Sequence, residues 1–186
     1  MKSSSLYLFC IYCAAVLFAS CSHEPDLLLD AGSTPAEQID HTLFADAHLE
    51  AAVRLALEQP RGAIEPDILA SIQSLDASGR EIRSLQDIGQ LTGLRRLHLA
   101  QNEIRDLTPL ATLDSLVILD LSRNTLFSVV ALSSLTQLTH LNLDFNKIAS
   151  LAPLAALLHL ELLNLNDNRI ADLSALAGLA QLKNVE

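Results

Sequence analysis

The chain has 186 residues, half of them apolar and only 4% aromatic, with 12 basic against 22 acidic residues and a formal net charge of −10. That acidic balance argues against nucleic-acid binding and against electrostatic docking to anionic lipid. The three cysteines, Cys10, Cys13 and Cys21, all lie near the N-terminus, so the rest of the chain has neither a disulfide framework nor a cysteine metal site.

Residues 1–20 read as a signal peptide. Lys2 is a short positive n-region and Leu6–Phe18 is an apolar run. The run is shorter than the roughly 20 residues that a spanning helix needs. It ends Leu17-Phe18-Ala19-Ser20-Cys21, which resembles a bacterial lipobox. The resemblance implies cleavage before Cys21, lipid attachment there through acyl chains such as palmitate, and membrane anchoring. An ordinary secretory signal with an incidental cysteine is the alternative. Ser22 in the following place resembles the pattern sorted to the outer membrane of Gram-negative envelopes, with the face it occupies left open. Loss of residues 1–20 removes Lys2 and no acid, so 11 basic residues face 22 acidic ones, a net of −11.

Residues 21–40, with Pro25, Gly32, Ser33, Thr34 and Pro35, read as a lipidated tether. Residues 41–71 read as a helical N-terminal cap. Phe44–Gln59 has Leu49, Val53 and Leu57 on one face, Asp46 placed as N-cap and Pro60 after the end, which predicts an amphipathic helix. A second short helix is expected to begin at Pro66.

From Ile72 onward the chain repeats itself. Leu94, Leu116, Leu138, Leu160 and Leu182 are 22 residues apart, and so are Asn102, Asn124, Asn146 and Asn168. A fixed period of this length means stacked units, none of which can bury its own leucines alone. Within Leu94–Leu113, Leu97 and Leu99 alternate as in a strand with one buried face. After Asn102 the spacing widens to Ile104, Leu107, Leu110 and Leu113, which suits a tight helical or turn-like return. Asparagine at the strand end reads as structural, its amide satisfying backbone groups of the sharp turn.

The pattern L-x-x-L-x-L-x-x-N-x-I/L-x-x-L/V resembles the leucine-rich repeat, and DLTPLATL and SLAPLAAL resemble its bacterial, internalin-like class. The resemblance implies an α/β fold: a right-handed solenoid of 22-residue units with parallel strands on its concave face. It also implies a helical cap over the first unit and a role in binding proteins or other macromolecules. Residues 72–186 hold five units plus the start of a sixth. The first departs from the pattern, with Ala77 and Arg80 where leucine and asparagine are expected. Leu182 and Val185 open the sixth with no cap sequence after them, which leaves truncation, a partner that supplies the cap, or end-to-end self-association as readings.

With the leucines inward, the partner-binding positions are the strand residues between them. These are Arg96, Ile118, His140 and Leu162 in one row and His98, Asp120, Asn142 and Asn164 in the next, with Phe145 at a strand exit. Ile118 and Leu162 around His140 suggest an apolar hot spot. No phosphate loop, nucleophile elbow or zinc-protease motif occurs, so no enzyme, cofactor or metal is expected. His98, Asp120 and His140 form the best metal constellation, and a solvated His–Asp contact is the commoner meaning. The reading is an envelope lipoprotein whose repeat face binds a protein partner in adhesion or host interaction. A periplasm-facing structural or assembly lipoprotein is the alternative, and a metal- or glycan-binding receptor is the lesser one.

Overall fold

The structure is a computed structural model and describes residues 43–185. The signal segment, the tether and Cys21 lie outside the described residues, as does Glu186. Two short helices, α1 (Ala47–Ala56) and α2 (Pro66–Ala70), precede six strands. The strands are β1 (Ser74–Asp76), β2 (Arg96–His98), β3 (Ile118–Asp120), β4 (His140–Asn142), β5 (Leu162–Asn164) and β6 (Asn184–Val185). They form one parallel sheet in chain order. Each residue pairs with the one 22 positions on, as in Leu97 with Leu119 and Leu119 with Leu141. A one-residue slip would turn every inward leucine outward, so the register is fixed by the leucine column.

The backbone ladder continues past the strands. Leu99 N–H donates to Asp120 O at 2.8 Å, and Gln101 N–H to Ser122 O at 2.9 Å. The chain then returns through 3-10 segments, among them Thr108–Thr112, Val130–Ser134 and Ala152–Ala156. Pro109 and Pro153 lie in the first turn of theirs, where a missing N–H costs nothing. Leucines from strand and return meet in one core that runs the length of the stack. Burial declines along it: Leu85 and Leu94 are fully buried near the cap, while Leu173 is exposed and Leu182 half-buried at the other end.

Asp46 joins cap to repeat. Its Oδ1 accepts from His48 and Leu49 N–H, capping α1, and its Oδ2 accepts from Arg83 N–H at 2.8 Å and Ser84 N–H at 3.0 Å in the first unit. Burial opposes ionisation of this carboxylate, but the four N–H donors outweigh it and hold its pKa below the ordinary value. The stability it confers is therefore present above the ordinary carboxylate range and is lost as pH falls through the lowered folded-state pKa. Asp46→Asn keeps one acceptor for the helix cap and turns an amide N–H₂ toward two N–H donors. We expect it to cost about 2 kcal/mol at neutral pH and to flatten the acid limb of the stability profile, measured by denaturation at several pH values.

Helix α1 is shorter than the apolar pattern suggests. Glu58 takes a left-handed φ of 54°, Glu58 N–H donates to Leu55 O and Gln59 N–H to Arg54 O, which together close a Schellman end. Glutamate in place of the usual glycine hid that stop. Glu50, a buried acid one turn into α1, accepts from Leu43 and Phe44 N–H and pairs with Arg54 at 2.8 Å.

Candidate functional site: the strand face and its flank

Parallel register places Arg96, Ile118, His140 and Leu162 side by side on neighbouring strands, followed by Asn184. The next row aligns His98, Asp120, Asn142 and Asn164. Together the rows surround a shallow depression of about 270 Å³ whose rim includes His98, Ile118, Asp120, His140 and Leu162. Leu162 is 38% exposed and Ile118 half-buried, so the apolar pair is open to a partner. His140 Nδ1 lies 2.7 Å from Thr139 Oγ1, which fixes the ring between the two aliphatic side chains.

The second row is partly engaged in holding the backbone. Asp120 Oδ1 accepts from Ser122 N–H, Asn142 Oδ1 from Asp144 N–H and Asn164 Oδ1 from Asn166 N–H, each two residues on. These Asx turns occupy one oxygen apiece and leave the other end of each side chain for a partner. Asp120 is thus committed to its own turn. No ion pair or hydrogen bond joins it to His98 among the described residues, and no group of three or more metal-type side chains converges there.

At the strand exits every unit needs a left-handed residue. Gly79, Gln101, Arg123, Phe145 and Asp167 stand 22 apart with φ between 50° and 64°. Only the first is glycine. A Cβ in this region costs on the order of 1–2 kcal/mol, so replacing exposed Gln101 by glycine is expected to stabilise the protein by about 1 kcal/mol, read as a higher denaturation midpoint at unchanged slope. Gln101→Val should shift it the other way.

The asparagine one position later closes each turn. Asn124 Oδ1 accepts from Ile104 N–H, and its Nδ2 donates to Leu99 O and Leu121 O at 2.9 and 3.1 Å. Asn102, Asn146 and Asn168 repeat the arrangement. Each amide therefore bridges adjacent units and faces away from the strand rows.

The exit row also carries Phe145, 42% exposed, with the Arg123 guanidinium 4.3 Å from its ring centroid. In the preceding unit Phe127 is 58% exposed, with Lys147 Nζ 5.4 Å from its centroid. Phe127 therefore points outward and does not fill the core. Arg123 and Phe145 share one offset and are legible in the sequence as one exit row, whereas the contact of Lys147 with Phe127 joins different offsets in neighbouring units and is not.

A family model described as leucine rich repeat matches residues 92–148. An internalin (InlF) of Listeria monocytogenes is 26% identical with a TM-score of 0.64, the match covering 75% of this chain and 48% of that one. The functional domain of InlJ from the same organism, described as including a cysteine ladder, is 31% identical with a TM-score of 0.68 over 75% of this chain and 30% of that one. The chain thus spans about half the length of the first structure and under a third of the second. No curated protein matches the chain. The family match and the likeness to these structures agree on a leucine-rich-repeat solenoid, and such a fold supports a protein–protein interaction module. The chain is an internalin-like leucine-rich-repeat protein.

Proposed function

We propose that the protein is a membrane-anchored interaction module whose strand face grips a protein partner in adhesion or host contact. The observation that carries the reading is the open apolar pair Ile118 and Leu162, aligned on either side of His140 over the depression. Large apolar groups on an otherwise polar, solvated face are the usual anchors of a protein interface. The lipobox-like Leu17–Cys21 supports anchoring through acyl chains on Cys21, with the outer membrane as the destination suggested by Ser22. Among the described residues no helix is long and apolar enough to cross a membrane.

Two experiments test this. Cys21→Ser should release the protein from the membrane fraction and abolish incorporation of labelled palmitate; retention and labelling of that variant would remove the anchor. Protease treatment of intact cells should cleave the chain within residues 22–40. Protection until the outer membrane is permeabilised would place the domain in the periplasm and make the assembly role the correct one.

A further inference from the structure

Six strands about 4.8 Å apart make a strip only roughly 25 Å wide, small against the ~800 Å² that a standard interface takes from each partner. A partner held by the strand face must therefore reach onto a flank. The two flanks differ. On the side of the asparagine turns, four consecutive units each carry an exposed cation shortly after the strand, Arg105, Arg123, Lys147 and Arg169, and two of them, Arg123 and Lys147, lie over the exposed rings of Phe145 and Phe127. None of the four forms an ion pair among the described residues. Of the acids close by, Glu103 is held by Arg83 at 2.9 Å and Asp106 is turned onto Thr108 N–H, which leaves Asp167 at the margin and Asp144 on the strand side of Phe145, its Oδ1 buried. A basic, aromatic patch with unspent charge stands out on a chain of net charge −10.

We propose that this flank is the docking surface for an acidic segment of the partner protein, one that sets carboxylates around an apolar anchor. The assignment rests on the strand-face reading and names the partner's chemistry. Phe145 sits at the strand exit, so the flank is continuous with the row that carries His140 and Leu162. Its φ of 50° is one that a bulky side chain adopts only at a cost, and a glycine fills the same place in the first unit. Arg123 lies over the Phe145 ring and Lys147 over that of Phe127, so a carboxylate arriving at either cation brings its neighbouring apolar side chain onto a ring. Aromatic and arginine side chains are the residue types that dominate interface energetics.

The test uses two designed helical peptides that carry leucine on one face and differ only in having glutamate or lysine on the other. Each is titrated into the ¹⁵N-labelled domain at low ionic strength. The glutamate peptide should shift the amides of Arg123, Phe145 and Lys147, and the lysine peptide should not. Arg123→Glu with Lys147→Glu should weaken the glutamate peptide at least about tenfold, whereas Arg123→Lys should weaken it little, and added salt should act in the same direction as charge reversal. Equal shifts from both peptides, or none from either, would overturn the flank assignment. Shifts confined to Ile118, His140 and Leu162 would overturn it as well while leaving the strand-face reading standing.

Discussion

Replacing Asn124 by leucine is expected to cost about 3–5 kcal/mol, more than almost any surface change in the molecule. The side chain is buried, and its loss strands Ile104 N–H and takes one of two asparagine donors from each of Leu99 O and Leu121 O, which keep only Asn102 and Asn146. Asn124→Asp should be nearly as damaging although it is close in shape, because a carboxylate oxygen would face the carbonyl oxygens of Leu99 and Leu121 in place of a donor. The same substitution at Asn168 is expected to cost only about 1–2 kcal/mol. Asn168 makes equivalent bonds but is half-buried at the less covered end of the stack, where water can take over. Equilibrium denaturation of the two leucine variants measures the difference. Equal losses would mean that the ladder is not what closes the turns.

Gly93→Ala is the second large effect. A Cβ at this position would sit 2.1 Å from Ala70 O, in the backbone at the end of α2, and 3.4 Å from Ile72 O. These are backbone atoms, with no side chain to rotate away, so the cap must lift off the first repeat or the repeat must distort. We expect a loss of about 3 kcal/mol or more, concentrated at one end of the molecule. Because each unit touches only its neighbours, hydrogen exchange should accelerate in α1, α2 and β1 while the amides of β3 and β4 stay protected. Unchanged protection in the cap would contradict the close approach of α2 to the first return segment.

The two variants separate what the sequence makes plain from what it conceals. The 22-residue recurrence of leucine and asparagine makes the parallel stack legible, since a strict column of leucines permits one register only. Gly93 carries no comparable sign: a lone glycine between Thr92 and Leu94 reads as a turn, and its packing role depends on Ala70, which no spacing rule brings near it. Asp46 was readable as a helix cap because capping is local, but its second carboxylate oxygen binds Arg83 and Ser84, nearly forty residues away. The strand rows follow from the repeat arithmetic alone. What the rows leave out is how much of Asp120, Asn142 and Asn164 is already taken up by their own turns, and that Arg123 and Lys147 lie over Phe145 and Phe127 on one flank. Both depend on where side chains turn once the backbone is built, which a leucine and asparagine period does not specify.

Site-specific photo-crosslinking in intact cells tests the central claim most directly. A benzophenone side chain would be placed at Leu162 on the strand face and, as a control, at exposed Thr112 on the return segment. A discrete adduct of one protein from position 162, absent from position 112 and lost when Ile118→Asp is added, is the result predicted here. No adduct from position 162, or the same adducts from both positions, would contradict a partner-binding strand face.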